Sequence, residues 1–182
     1  MAIRVKPFDL SDLQEFLVDH RSEVQKRLYL IELQKEWIEG LTEDELLLLI
    51  SSVPRARKDR EMSTLRETVA RSRYTPSHIL SELAKDDDRE VREWVALNSN
   101  TLPLTLKMLA RDGDKEVRRW AAGNLNTPSA ALEALARDPK SDIRSAVAGN
   151  WNTPSAALEA LAKDTESEVR SAVAEHRNTP AS

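Results

Sequence analysis

From the middle of the chain onward a threonine recurs every 26 residues: Thr75, Thr101, Thr127, Thr153 and Thr179. A strict period in this range is the signature of a stack of small supersecondary units, none of which can bury its apolar face alone. Four full units follow, 75–100, 101–126, 127–152 and 153–178, and each is numbered here from its threonine as position 1. Position 6 is Leu80, Leu106, Leu132 and Leu158, and position 9 is Leu83, Leu109, Leu135 and Leu161. Position 10 is always Ala, position 11 always Lys or Arg, and position 12 always Asp (Asp86, Asp112, Asp138, Asp164). Position 17 is Val91, Val117, Ile143 and Val169, each followed by an arginine (Arg92, Arg118, Arg144, Arg170). Position 22 is Ala96, Ala122, Ala148 and Ala174, and position 26 is Asn100, Asn126, Asn152 and Asn178.

The apolar spacing within a unit is helical. Leu at 6 and 9 with Ala at 10 makes the i, i+3, i+4 stripe of a short amphipathic helix, and positions 17 to 22 make a second, flatter face. Only four glycines in 182 residues, with Ala and Leu leading the apolar set, agree with helices. Thr-Pro opens three units, which predicts a threonine N-cap before a proline at the first helical position; Thr101-Leu102-Pro103 delays the proline by one. Acids at position 16 (Glu90, Glu116, Asp142, Glu168) suit the positive end of the second helix. Asn at positions 24 and 26 suits a helix exit and turn. The aspartates of position 12 and the arginines of position 18 form two ladders able to pair within or between units. The fold class expected is all-α, a right-handed α-solenoid of short helix–turn–helix repeats.

Upstream, Leu65 to Tyr74 fits positions 17 to 26, and Thr42-Glu43-Asp44-Glu45 reads as a capping box with Leu47 and Ile50 at positions 6 and 9. Seven extra residues around Val53 to Met62 make 42–74 a degenerate first repeat with a basic insertion loop. Leu10, Leu13, Leu17, Val24, Leu28 and Ile31 mark two helices of an N-terminal helical cap over 1–41. Residues 179–182 open an incomplete fifth repeat. With nothing visible to cover Leu158, Leu161, Val169 and Val173, an exposed apolar end and self-association through the C-terminal repeat are expected.

The unit that opens Thr127-Pro128-Ser129-Ala130-Ala131-Leu132 and continues Ile143-Arg144-Ser145-Ala146-Val147-Ala148 resembles the bacterial leucine-rich repeat variant family. Asp138 and Arg144, six residues apart, are also similar to the Asp and Arg of HEAT repeats, whose units are longer. The resemblance covers 75–180 well, 42–74 loosely and 1–41 not at all. It implies a right-handed superhelix of alternating α and short, often 3₁₀, helices used mainly for protein interaction. Some members carry a cysteine-ligated iron–sulfur cluster. The absence of cysteine from this chain rules out carrying that cofactor over, and no other cofactor or metal spacing is present.

Candidate contact residues are few. Trp94 and Trp120 share position 20 in adjacent units, with Arg119 beside them; they are either a partner anchor or periodic core filling. Trp151 sits at turn position 25, exposed by register. The segment 55–73 holds Arg55, Arg57, Lys58, Arg60, Arg66, Arg71 and Arg73 against three acids, for a local charge of +4, while the whole chain is −4. It is a polyanion site or a solvated loop. His20, His78 and His176 are scattered, and His176, replacing Asn at position 24, reads as a surface turn. No nucleophile–base set, P-loop or paired-histidine motif appears, so the chain is not read as an enzyme. The leading function is a non-catalytic scaffold for protein–protein interaction or assembly. A nucleic-acid-binding repeat using 55–73 and an accessory subunit of an enzyme are the alternatives. The longest apolar run, Leu46 to Ile50, is too short for a membrane span, and the first residues lack a signal-peptide core; a cytoplasmic location is expected.

Overall fold

The computed structural model describes residues 42–44, 47, 50 and 60–176. Over 60–176 the chain is an all-α solenoid of alternating longer and shorter helices. The elements are α1 (Arg60–Arg71), α2 (Ser77–Leu83), α3 (Arg89–Leu97), α4 (Pro103–Leu109), α5 (Lys115–Gly123), α6 (Ser129–Leu135), α7 (Ser141–Gly149), α8 (Ser155–Leu161) and α9 (Ser167–Ala174). The short helices, seven residues each, are α-helical rather than 3₁₀. Helices of that length are not stable alone in water and are held by tertiary packing.

The odd-numbered helices stack on one another in a continuous row, and each short helix packs against the longer helices on either side of it. The core threads between them. Short helices bury positions 5, 6 and 9, as with Ile79, Leu80 and Leu83 or Ala131, Leu132 and Leu135. Longer helices bury 17, 21 and 22, as with Val91, Val95 and Ala96 or Ile143, Val147 and Ala148. Position 10 is buried at Ala84 and Ala110, half-buried at Ala136 and exposed at Ala162. Ile50 joins this core and Leu47 packs against it. Leu158, Leu161, Val169 and Val173 are buried, which overturns the expected exposed apolar end. The expected cap over 1–41, most of the insertion and residues 179–182 lie outside the described residues; α1 begins at Arg60, so 60–62 are helical, not loop.

Three side-chain ladders join the units, and each answers a definite backbone need. The end of a helix leaves four carbonyls without intrahelical donors. Position-24 asparagines satisfy two of these in the preceding unit: Asn98 Nδ2 donates to the carbonyls of Ala70 (2.7 Å) and Ser72 (2.8 Å). Asn124 does so to Ala96 and Asn98, and Asn150 to Ala122 and Asn124. The Oδ1 of each accepts the N–H of position 26. These residues end the longer helices with negative φ, in extended geometry. His176 is buried, not a surface turn, and takes over the asparagine's place with Nε2 2.9 Å from the Asn150 carbonyl oxygen.

The threonines also serve the preceding helix rather than the one they precede. The N-cap residues of the short helices are Pro76, Leu102, Pro128 and Pro154, none with a side-chain cap bond. Each threonine hydroxyl instead donates backward to a position-21 carbonyl: Thr75 to Val69 (2.5 Å), Thr101 to Val95 (2.6 Å), Thr127 to Ala121 (2.5 Å) and Thr153 to Val147 (2.6 Å). That carbonyl end is buried by the next unit, where an unmet polar group is costly, whereas residues at the start of the short helices, such as Ser129 and Ala130, are exposed to water.

The charge ladder runs strictly between units. Arg66 Nε donates to Asp86 (2.6 Å), Arg92 to Asp112 (2.7 Å), Arg118 to Asp138 (2.8 Å) and Arg144 to Asp164 (2.6 Å). The Nη1 of Arg92, Arg118, Arg144 and Arg170 donates to the position-12 carbonyl of its own unit. Each of these aspartates also accepts the N–H two residues on. Arg92, Arg118 and Arg144 therefore each hold their own turn by the backbone and the next unit's turn by the carboxylate. Among the described residues no buried polar side-chain atom lacks a partner.

Candidate interaction surface

Trp94 and Trp120 are half-buried and packed against the core from the longer helices α3 and α5. The Arg71 guanidinium lies 4.9 Å from the centre of the Trp94 ring, and that of Arg119 lies 4.0 Å from Trp120. Such cation–π contacts stabilise by about 0.5–1 kcal/mol at partly exposed sites. Arg119 is fixed in turn by Glu116 at 2.8 Å, and that guanidinium holds the Glu116 carboxyl below its ordinary range. Burial pushes the Glu93 carboxyl up, and the Trp120 side chain of the next unit opposes that shift. Trp94 is joined to the preceding unit through Arg71. Sequence reading paired them with Arg119 but missed Arg71, which the 26-residue register places at position 23 of the degenerate unit.

Trp151 lies apart from this cluster, on the turn after α7, and is 59% exposed. Leu125, the same position one unit earlier, is 56% exposed, and the two turns are tied by Asn152 donating to the Leu125 carbonyl. Unit 101–126 adds Leu102, Leu104 and Met108, all exposed, Leu104 at 77%. The sequence signal for these is Leu, Leu and Met standing where the other units place Pro at 2, His or Ala at 4, and Glu or Ala at 8.

Of the basic segment, Arg55, Arg57 and Lys58 lie outside the described residues. The arginines of 55–73 whose side chains are described are engaged within the fold: Arg66 is buried against Asp86, Arg71 covers Trp94, and Arg73 lies over the Tyr74 ring and bonds its hydroxyl. Among the described residues no group of acidic, His or Cys side chains has metal-site geometry, and no helix is long and apolar enough to cross a membrane.

Residues 116–140 match the model of the leucine-rich repeat variant family, a window that runs from one longer helix through the next short one. No curated protein matches the chain. A solved leucine-rich repeat variant, described as having a novel repetitive structural motif, is 23% identical, with 92% of this chain and 71% of that chain aligned at a TM-score of 0.58. An engineered protein is 18% identical over 92% of this chain and 94% of its own, at a TM-score of 0.42. At these identities the likeness to the first is one of fold. The chain thus carries a leucine-rich repeat variant unit at 116–140, set in an array with the fold of a leucine-rich repeat variant.

Proposed function

We propose that this chain is a non-catalytic repeat scaffold that mediates protein–protein interaction or assembly. The observation that carries the reading is the distribution of exposed large apolar side chains. Of the seven among the described residues, Tyr74 and Leu97 lie upstream, and Leu102, Leu104, Met108, Leu125 and Trp151 fall within two adjacent central units, on an array whose charged ladders are paired internally. Concentrated apolar exposure of this kind marks contact surfaces, and a tryptophan at its edge is a common binding anchor. Trp94, Trp120 and Arg119, all half-buried on the longer helices, are further candidate contacts. The alternative of nucleic-acid binding through Arg55, Arg57 and Lys58 draws less support, because Arg66, Arg71 and Arg73 are spent on internal partners.

The test compares the full chain with a Leu125→Ala/Trp151→Ala double variant as baits in native lysate, with and without nuclease. Both side chains are exposed, so the melting temperature of the variant is expected to stay within about one degree of the parent's. Proteins held by the parent and lost from the variant support the reading. Identical retention by both baits overturns this surface, and retention abolished by nuclease transfers the function to the nucleic-acid alternative.

A further inference from the structure

The two edges of the solenoid differ in charge. The turns that enter the longer helices, 85–90, 111–116, 137–142 and 163–168, each carry at least four charged residues in six. The turns that leave them do not. Segments 97–106, 123–132 and 149–158 contain no Asp, Glu, Lys, Arg or His, in a chain of which 32% is charged. Their exposed positions hold only Leu, Trp, Asn, Ser, Ala, Pro and Gly. The nearest charges outside these segments are of mixed sign: Glu93 and Arg119 one helical turn before them on the longer helices, and Lys107, Glu133 and Glu159 just after them on the short ones. Arg119 is already held by Glu116.

Each neutral turn lies directly on the turn before it. Asn126 Nδ2 donates to the carbonyls of Ser99 (2.6 Å) and Thr101 (3.4 Å), Asn100 to those of Arg73 and Thr75, and Asn152 to that of Leu125. Carbonyl partners fix which atom of the amide faces inward, because only the nitrogen can donate. The Oδ1 of each of these exposed asparagines is thereby held in one orientation, and it accepts no hydrogen bond among the described residues. The inward bonds account for asparagine at position 26. They do not account for Leu102, Leu125 and Trp151, which stand on the same three turns at 47%, 56% and 59% exposure.

We propose that this neutral edge docks an uncharged, extended segment of a partner protein. The segment donates backbone N–H groups to Asn100, Asn126 and Asn152 and packs apolar side chains on Leu102, Leu125 and Trp151. The proposal rests on the scaffold reading and names the chemistry of the partner. Charge complementarity sets the first requirement. A charged group laid on these turns would lose water without meeting a counter-charge, and the same cost weighs against nucleic acid. Spacing sets the second. Packed helices lie about 8–10 Å apart, so successive asparagines recur at about that interval. A polyproline II chain rises about 9 Å in three residues and then presents the same side again. A β-strand presents the opposite side after three residues, and the N–H groups of an α-helix are already bonded within it. The segment is therefore of polyproline II form, with an apolar residue other than proline at every third place.

The experiment uses the full chain and labelled peptides of repeated Leu-Pro-Pro, in which proline enforces the conformation and each leucine keeps its N–H. Comparison peptides are repeats of Leu-Pro-Lys and Leu-Pro-Glu, a leucine-striped helical peptide, and an ester analogue in which oxygen replaces every leucine N–H. The Leu-Pro-Pro peptide is expected to bind at least about tenfold tighter than each of the others. Leu102→Glu/Leu125→Glu alters two exposed side chains, so the melting temperature should hold; this variant should lose the Leu-Pro-Pro peptide and take up the Leu-Pro-Lys one. No binding of Leu-Pro-Pro, equal binding of the ester analogue or of either charged repeat, or tighter binding of the helical peptide would each overturn the proposal. So would unchanged binding by the double glutamate variant. If lysate partners depend on Leu125 and Trp151 while the Leu-Pro-Pro peptide fails to bind, this proposal falls and the scaffold reading stands.

Discussion

Units 75–126 and 127–176 share one backbone plan but are held by different means. In the first pair Asp88 and Asp114 cap the longer helices by accepting the N–H of Glu90 and Glu116, while Lys140 and Glu166 stand at the same place in the second pair without a side-chain cap bond. Trp94 and Trp120 fill position 20 in the first pair, Trp94 covered by Arg71 of the preceding unit; Ala146 and Ala172 stand there in the second. The charge ladder is sealed only at its first rung: Arg66 and Asp86 are 1% and 2% exposed, whereas Arg92 and Asp112 keep 18% and 11% and Arg144 and Asp164 keep 15% and 9%. The asparagine, threonine and arginine ladders run through both pairs, with His176 in place of the last asparagine, and are what the repeats share. Caps and tryptophans add to the first pair without altering its path.

That contrast makes its strongest statement at the ladder's buried end. Arg66→Ala leaves the Asp86 carboxylate enclosed and short of its main partner, and is expected to destabilise by about 4 kcal/mol. Arg144→Ala, at the wetter end, is expected to cost about half as much. Urea denaturation of both variants decides the matter; equal losses would show that burial does not grade the ladder.

The tryptophans give the next largest effect. Trp120→Ala removes a half-buried ring together with the Arg119 contact, for an expected loss of about 2 kcal/mol, below the range for fully buried aromatics. Since Ala already serves at position 20 in units 127–152 and 153–178, the fold should persist with unchanged helix content. A circular dichroism spectrum that loses helix would mean the tryptophans direct the stack rather than reinforce it.

Much of this was legible from the period alone, and the reasons differ by residue. The register placed Arg66 at position 18 and Ala70 at position 22 of the degenerate unit, and both are buried where that register requires. Leu at 6 and 9 and Val or Ile at 17 read directly as core because burial follows periodicity. The direction of the polar bonds was not legible. Thr75 and its equivalents read as caps for the helix ahead, since local sequence shows the following Pro but not the unmet carbonyl six residues behind. The sequence leaves Asp112 free to pair within its unit or with a neighbour, and its carboxylate belongs to Arg92 of the preceding unit. Only the superposition of one turn on the next settles such pairings, and a linear pattern does not contain it. Of the candidate contact residues, Trp151 was readable from its turn position, while the inward packing of Trp94 depends on Arg71, distant in sequence.

The smallest expected effect is one of acidity. The Arg144 guanidinium holds the Asp164 carboxyl at about 2, below its ordinary value of 3.8. A carboxylate depressed in the folded state stabilises above its unfolded pKa, and the contribution is lost as the pH falls from about 4 to about 2. In this partly exposed end unit it should amount to on the order of 1 kcal/mol. Asp164→Asn should accordingly flatten the acid limb of a melting-temperature profile below pH 4 while lowering stability at neutral pH. An acid limb identical to the parent's would assign that sensitivity to other carboxylates.

The ladders have one more consequence, for how such a chain can change length. Every described asparagine at position 24 reaches backward, and every paired arginine at position 18 reaches forward by the same 20 residues. The leading face of one unit is therefore a template for the trailing face of any other. A duplicated or deleted block of 26 residues would meet matching acceptors and donors at both joins, with no compensating change needed elsewhere. Length becomes a variable that can be altered independently of the fold, and the number of units can be set by the span of whatever the surface must reach.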